Sequence, residues 1–438
     1  MVIKEEAYIS PYLNLEIVQG EPTFCSLMIK VPAKFIDTLY QQAIISQKNS
    51  VPAFGFHKRE TPISYIEQNY QVNLIEHIKE FLLKYVVMGF LQQEIIRRKI
   101  LIAGQPRLTT IYLQPGSDAQ FNFELSLFPS ISFQEWKYLP FKAPKRKNYK
   151  DLDRQVETFL QEEFTAKQNY KNDTITIGDW VNYTITLLNT DNCPLFKDHC
   201  VNLWVKIGDE EPDKPFQELF INKKNGQTFM SNAPILQEYF VDSLNTQYTF
   251  IVTILEVVPH AYFCLDQFKH HFRIKSNKEM YQKLIEVFSY RNDLSQRRTM
   301  VEEALKLLFS KHRFEIPNHL ILREQQNVLD AVQYNPDYHV YRVQKNFKEV
   351  IKDLAEKQIR ERIFLHQLAH EENMEINPAD VISYLNLTKR SRTKEFLHFD
   401  PPMTKVRGQE FPVLSVELEK VCLLEKTLNH IIYHLTKK

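Results

Sequence analysis

Scarcity of glycine is the feature that most constrains how this chain can fold. The 438 residues include only nine glycines, whereas average usage of ~7% would give about 30. Few residues are therefore available for tight turns that need a positive φ, which favours long helices over many short hairpins. The shortage also argues against glycine-rich loops that cradle phosphate, and the sequence contains neither a P-loop nor a G-x-G-x-x-G motif.

Length, composition and charge predict a multidomain globular protein. A chain of 438 residues exceeds one ordinary core, so two to four domains are expected. The apolar fraction of 43% and the charged fraction of 25% are close to globular averages. A net charge of +1 gives no overall attraction to DNA or to an anionic membrane, so neither is expected as a partner. Five scattered cysteines, with no signal peptide or membrane-spanning run, predict a reduced, cytoplasmic protein.

Hydrophobic periodicity divides the chain into four segments. Residues 1–135 combine alternating strands with helices, which predicts an α+β head. One of its helices carries an apolar stripe of Leu74, Ile78, Leu82, Tyr85 and Val86. Residues 136–170 read as a linker helix and residues 171–258 as a small antiparallel β-sheet domain. Residues 259–438 read as helices with apolar stripes, so the predicted fold class is multidomain α+β with a mostly α-helical C-terminal domain.

Residues able to bind a metal or to perform catalysis do not form a recognised motif. His366 and His370 are four apart on a predicted helix, as are His430 and His434, a spacing that could hold a metal. Neither pair has the H-E-x-x-H form or a third ligand at a recognisable spacing, which favours solvated helix surface. No catalytic residue, metal ion or cofactor is therefore predicted.

A short basic stretch carries the most specific signal in the sequence. Residues 51–70 read VPAFGFHKRETPISYIEQNY, in which Gly55 lies between two phenylalanines and a His-Lys-Arg triplet precedes a predicted helix. This stretch resembles the signature G-F-R-x-G-K-x-P of trigger factor, the bacterial ribosome-associated chaperone. Gly55 to Pro62 lie over the signature without a gap, and Gln68 and Tyr70 match the helix end that follows it.

The resemblance implies a role for this stretch in ribosome binding. In trigger factor the loop docks on the large ribosomal subunit beside the exit tunnel, which identifies Phe56, His57, Lys58 and Arg59 as the expected ribosome-binding residues. His57 replaces the signature arginine, Arg59 the second glycine and Glu60 the lysine. An imidazole is mostly neutral near pH 7, so contact with phosphate weakens unless Lys58 and Arg59 restore the charge. An ordinary solvated basic loop is the alternative interpretation.

Residues 171–258 resemble the FKBP-type prolyl isomerase module that trigger factors carry. The tetrapeptide from Gly178 to Val181 matches a G-D-x-V strand opening, and the segments around Phe216 and Tyr239 overlie the module without gaps. The resemblance gives four candidate residues of the isomerase pocket: Phe196, Phe216, Ile235 and Tyr239. Their alternative interpretation is that they are plain core residues of a small barrel-like sheet.

The same module departs from the family pattern at the expected pocket. Such an isomerase holds the X-Pro bond among aromatic side chains that favour a twisted amide, and needs no nucleophile. Thr184 stands where the family strand carries an acidic residue facing the pocket, Ile235 replaces a phenylalanine, and Pro215 replaces a glycine. Weak or lost peptidyl-prolyl isomerase activity is therefore expected, with the domain kept as a binding surface or spacer.

The C-terminal segment, residues 259–438, resembles the family's helical chaperone domain with projecting arms. The expected function is that of an ATP-independent chaperone that docks near the ribosomal exit tunnel and holds nascent or unfolded polypeptides. Met280, Phe288, Phe309 and Phe314 are candidate apolar contributors to the client surface, although buried packing is the favoured interpretation for each of them taken singly. Two alternatives stay open: a holding chaperone or assembly factor that works without the ribosome, and an active prolyl isomerase.

Overall fold

Two antiparallel sheets and a long series of helices make up the fold. The computed structural model describes residues 13–437 except 21–23, 51–52, 130, 145–150, 172, 190, 197–198, 241–247, 292–293, 334–336, 403 and 407. One sheet belongs to the N-terminal head, the other to the middle of the chain, and helices dominate the C-terminal part. The predicted multidomain α+β fold class is thus confirmed.

The head is a four-stranded antiparallel sheet with helices packed on it. Its strands are β1 (Asn14–Gly20), β2 (Phe24–Val31), β3 (Arg107–Tyr112) and β4 (Ala119–Ser126), in the spatial order β1-β2-β4-β3. Strict alternation buries Phe121, Phe123 and Leu125 on one face of β4, as the pleat of a strand requires. The helices are α1 (Ala33–Ser50), α2 (Ile63–Leu82) and α3 (Met88–Arg97), with one turn of π-helix over Leu83–Val87 between the last two.

The middle sheet takes strands from two distant parts of the chain. Helix α4 (Leu152–Asn169) leads into β5 (Trp180–Leu187), β6 (Val201–Lys206), β7 (Thr228–Ser231) and β8 (Phe250–Val258), with α5 (Lys214–Phe220) and α6 (Pro234–Phe240) between strands. A fifth strand of two residues, Val413–Leu414, pairs with β6 and forms the edge of the sheet, followed in spatial order by β6, β5, β8 and β7. The small sheet domain is therefore extended by a segment from near the C-terminus, which the sequence pattern did not indicate.

The C-terminal part is built from helices joined by short loops and strand pairs. Its elements are α7 (Leu265–Phe272), α8 (Asn277–Phe288), β9 (Tyr290–Arg291), β10 (Leu294–Ser295), α9 (Gln296–Lys311), α10 (Asn318–Gln333), α11 (Tyr338–Tyr341), α12 (Phe347–Glu371), α13 (Pro378–Leu387), α14 (Ser391–Lys394), β11 (Lys405–Val406), β12 (Gln409–Glu410), β13 (Val413–Leu414) and α15 (Ser415–Thr436). Helix α12 packs against both α10 and α15. Among the described residues, no helix is long and apolar enough to cross a membrane.

The buried apolar side chains form several cores, and the largest is shared between the head and the middle sheet. A second core joins α4 to α7, α8 and α13, and contains Met280 and Phe288, which are each 5% exposed. Helix α8 packs these two side chains inward, so they are core residues, as the favoured interpretation held, and they do not contribute to a client surface. Phe309 and Phe314 are partly buried against neighbouring cores.

Candidate functional site

The loop that joins α1 to α2 turns sharply at Gly55. The Phe56 backbone N donates a hydrogen bond to the Ala53 carbonyl over 2.9 Å, and Gly55 between them has a φ of 86°. A residue with a Cβ enters this left-handed region at a cost of roughly 1–2 kcal/mol, and a turn of this shape is therefore usually built on glycine. The turn explains why a chain with so few glycines places one between two phenylalanines.

A second turn follows at Arg59, where the resembled signature has its second glycine. The Glu60 backbone N donates to the His57 carbonyl over 3.0 Å, and Arg59 has a φ of 76° although it carries a long side chain. The Arg59 backbone N also donates to the Lys48 carbonyl over 3.2 Å, which ties the turn to the last part of α1. The loop thus keeps a glycine-like backbone and gains a cation, at the cost of local strain.

The three basic residues of the loop lie side by side in solvent. His57, Lys58 and Arg59 are all exposed, and so is the acidic Glu60 that follows them. Consecutive cations on an exposed turn form a local positive patch on a molecule with nearly no net charge. Such a patch can contact phosphate or carboxylate groups of a partner without disturbing the core of the head.

The two phenylalanines of the loop have different surroundings. The ring of Phe56 is partly buried and packs edge-on against Tyr65, with a centroid distance of 5.0 Å. Phe54 is 93% exposed, more than any other large apolar side chain among the described residues. The signature match drew attention to Phe56 and missed Phe54. The structure is needed to tell that Phe56 packs inside the loop while Phe54 is the ring that a partner can reach.

The four candidate residues of the isomerase pocket lie in or against the core shared by the head and the middle sheet. Phe196, Phe216 and Ile235 are 2%, 1% and 3% exposed. Tyr239 is partly buried, its ring lies 4.9 Å from that of Phe240, and burial raises the pKa of the Tyr239 hydroxyl. The structure therefore gathers these side chains in one region, where they pack as core residues.

Thr184 lies on the other side of the sheet from these residues. Along β5, Tyr183 and Ile185 are buried in the shared core, whereas Thr184 between them is only partly buried. Because successive side chains of a strand point to opposite faces, Thr184 does not face the expected pocket. Thr184 therefore lies on the face of β5 opposite the core that holds the four candidate residues.

Aromatic side chains from the head reach the middle domain at Phe196. The ring of Phe35, from α1, stacks on Phe196 at a centroid distance of 4.7 Å, and the ring of Tyr85 lies 6.1 Å away. A ligand at Phe196 would have to displace these two rings. This part of the expected pocket is occupied by the chain itself.

A cavity of about 1050 Å³ lies between the head and the C-terminal helices. Its walls come from the end of α3 and the segment after it, from α12 and α15, and from residues 398–402. Both apolar and charged side chains line it, among them Ile96, Phe128, Leu354, Met374, Arg362 and Lys420. A surface of this kind offers many weak contacts to an extended polypeptide rather than one deep site.

Burial shapes the titration of two residues in the cavity wall. Burial lowers the pKa of the Lys420 ammonium, with Glu417 opposing it. Burial also lowers the pKa of His366 to about 4, and its ring lies 6.0 Å from that of Phe128. His366 is therefore neutral at pH 7 and contributes an apolar ring to the wall.

The histidine pairs do not form a metal site in the part of the chain that the structure describes. No group of three or more His, Cys, Asp or Glu side chains there could hold a metal ion. His430 and His434 instead pack against Trp136, each with a ring centroid distance of 5.8 Å. The pair fixes the segment that follows the head onto α15.

Comparison with protein families gives matches in both the N-terminal and the C-terminal parts of the chain. Residues 13–162 match the model described as bacterial trigger factor protein (TF). Residues 277–396 match the model described as bacterial trigger factor protein (TF) C-terminus. Residues 163–276, which include the middle sheet strands β5 to β8, lie between the two matches.

Two individual relatives at low sequence identity are also trigger factors. The chain is 20% identical over 373 residues to trigger factor of Rickettsia canadensis (strain McKiel), and the aligned region covers 84% of this chain and 83% of the relative. It is 22% identical over 414 residues to trigger factor of Chlamydia pneumoniae, with 86% and 87% covered. One solved structure comes from work on promiscuous substrate recognition in folding and assembly activities of the trigger factor chaperone. It is 16% identical to this chain, and the two superpose with a TM-score of 0.37 over 96% of this chain and 100% of that chain.

Proposed function

The chain belongs to the trigger factor family of chaperones, and from this premise we propose that it holds nascent or unfolded polypeptides beside the exit tunnel of the large ribosomal subunit. The observation that carries the proposal is the cavity of about 1050 Å³ between the head and the C-terminal helices. The proposal assigns ribosome docking to residues 1–135, spacing to residues 136–170, a degenerate isomerase module to residues 171–258 and client holding to residues 259–438. Cytoplasmic location follows from a partner that makes polypeptides there.

Client holding requires no nucleotide. An unfolded segment gains by placing its apolar side chains against residues such as Ile96 and Leu354, while charged neighbours such as Lys420 keep the cavity wetted. No single contact is strong, so the client leaves when folding buries its own apolar surface more completely. Because binding to the unfolded state opposes folding only by mass action, release follows from the client's own stability.

Ribosome docking is proposed for the loop before α2. Phe56, His57, Lys58 and Arg59 are the residues that the family resemblance assigns to it, and the exposed cations among them suit RNA phosphates and acidic protein groups. Phe54 joins this set because its ring is free for a partner's apolar surface. Phe56 then acts through the loop's shape, since its ring rests on Tyr65.

Prolyl isomerase activity is proposed to be weak or lost. The burial of Phe196, Phe216 and Ile235 supports this proposal, because an X-Pro segment needs those rings to be reachable. A proline-limited refolding reaction is the test: we expect no acceleration above the uncatalysed rate of one event in ~10–100 s. A clear acceleration that disappears when Phe216 is changed to Ala would contradict this part of the proposal.

The docking test is co-sedimentation with large ribosomal subunits across a salt series. We expect Lys58→Ala to weaken binding and to reduce the slope of log affinity against log salt by about 0.7–0.9, the change produced by losing one phosphate contact. Lys34→Ala is the matched control, since Lys34 is also exposed but lies at the first turn of α1, about 25 Å of helix away from the loop.

Two results would contradict the docking proposal. One is the absence of co-sedimentation even at low salt, which would favour a chaperone that works without the ribosome. The other is an equal loss of binding in both variants, which would show that the loop holds no special contact.

The holding test is suppression of client aggregation. Ile96→Asp places a charge in the cavity wall, and we expect it to lower the suppression because an apolar client segment then meets a desolvated carboxylate. Val72→Asp is the control, since Val72 is also a β-branched residue on a helix of the head. Its side chain is 72% exposed and lies outside the cavity. Equal suppression by both variants would show that clients bind elsewhere.

A further inference from the structure

The C-terminal half of α2 and the turn of π-helix that continues it carry three ring side chains, one turn apart, that reach out of the head. His77, Phe81 and Tyr85 are spaced by four residues, so they form one row along a single helix face. Their exposures are 0%, 1% and 1%. All three meet side chains of the middle domain, which lies more than a hundred residues further along the chain.

Tyr85 makes the densest set of contacts in this row. Its hydroxyl accepts a hydrogen bond of 2.7 Å from the backbone N of Leu187, at the end of β5, and its carbonyl lies 2.9 Å from Nε2 of His199. Its ring packs edge-on against Phe240 at 5.4 Å and lies 6.1 Å from Phe196. Tyr85 belongs to the turn of π-helix, a local distortion that proteins often keep for a functional reason.

Phe81 and His77 extend the same contact along the helix. The Phe81 ring lies 4.5 Å from that of Tyr248 and meets Phe240 edge-on at 5.7 Å. His77 Nε2 lies 3.0 Å from the Tyr248 hydroxyl, and the two rings are stacked. The hydroxyls of Tyr85 and Tyr248 therefore both have hydrogen-bond partners within this contact, as buried polar groups require.

We propose that the aromatic face of the middle domain, made of Phe196, Phe240, Tyr248 and Phe250, is a helix-docking surface whose ligand is the head's own α2. The row on α2 presents anchors at intervals of four, the pattern by which an amphipathic helix is recognised in an apolar groove. Among the residues that the structure describes, no Lys, Arg, Asp or Glu takes part in the ring and hydrogen-bond contacts between the two. A helix of this chemistry fits the face better than a charged or extended peptide does.

Docking has a consequence for the whole molecule. The basic loop lies at one end of α2 and the aromatic row at the other, so the 20-residue helix connects them as a rod about 30 Å long. The head and the middle domain then move as one body, and a force applied at the loop is transmitted to the middle sheet. The inference does not depend on what the loop binds, because its contacts are within the chain.

Solution scattering of a double variant tests the docking directly. Phe81→Ala with Tyr85→Ala removes two anchors, and we expect the radius of gyration of the full chain to rise and hydrogen exchange across residues 180–189 to increase at least tenfold. Phe123→Leu, in the head sheet, is the control for a weakened head core and should change neither readout. An unchanged radius and unchanged exchange in a folded double variant would overturn the proposal.

A milder variant keeps the proposal testable if the double variant fails to fold. Tyr85→Phe retains the ring but removes the acceptor of the Leu187 amide, and one lost hydrogen bond corresponds to about a fivefold faster exchange of that amide. We expect this change at Leu187 with an unaltered radius of gyration. Exchange of the Leu187 amide at the wild-type rate would show that Tyr85 is not docked on β5 in solution.

Discussion

The two ends of α2 use aromatic residues in opposite ways. Ahead of the helix, Phe54 is exposed close to the basic residues His57, Lys58 and Arg59, and Arg59 adopts a strained backbone conformation in that loop. At the other end, Phe81 and Tyr85 are buried among rings, and in the described part of the chain no charged side chain makes a ring or hydrogen-bond contact with them. Aromatic rings beside basic side chains suit the binding of a hydrated, charged partner surface, whereas aromatic rings packed only on other rings suit a permanently buried contact. The same residue type therefore reports on function only through its neighbours.

Truncating one aromatic side chain near each end of α2 should give the largest difference in the free energy of unfolding. Phe240, which receives Phe81 and Tyr85, is 0% exposed, so Phe240→Ala should lower the free energy of unfolding by about 3–5 kcal/mol. Phe54→Ala should change it by no more than about 0.5 kcal/mol, since exposed side chains contribute little to folding. Urea unfolding of both variants measures the difference, and equal free energies would break the distinction drawn between the two ends.

Acid should weaken the buried end selectively. Burial lowers the pKa of His77 to about 4, against 6.5 in an unfolded chain, with Glu80 partly opposing the shift. Between these values the unfolded state binds a proton that the folded state excludes, so stability falls as the pH falls through this window. Burial lowers the pKa of His199, on the same contact, in the same direction.

The size of this pH effect follows from the shift at His77. A pKa lowered from 6.5 to about 4 corresponds to about 3 kcal/mol of stability lost between pH 6.5 and pH 4. We expect His77→Phe to remove that loss, so its unfolding free energy should decline less steeply than that of the wild type. Parallel pH profiles for the two proteins would show that His77 is not buried as a neutral ring.

Local patterns allowed some of this organisation to be predicted from the sequence. Alternation along β4 and the apolar stripe of α2 predicted the elements, and an ungapped signature predicted the loop. The stripe even included Tyr85, but periodicity cannot name the surface that a stripe meets. That surface, at Leu187 and Phe240, is over a hundred residues away, and the two residues of β13 are too few to form a pattern.

The smallest expected effect separates the shape of the loop from its charge. Arg59 has a φ of 76°, which costs a residue with a side chain roughly 1–2 kcal/mol, so Arg59→Gly should stabilise the protein by about 0.5–1 kcal/mol after the greater freedom of glycine in the unfolded chain is subtracted. Lys58→Gly, in the same loop and without a positive φ, should destabilise it by a similar amount. Both variants lose one cation, so the docking proposal expects both to bind the ribosome less well although their stabilities move in opposite directions. If Arg59→Gly proved no more stable than Lys58→Gly, the second turn would carry no strain and the loop would owe its shape to Gly55 alone.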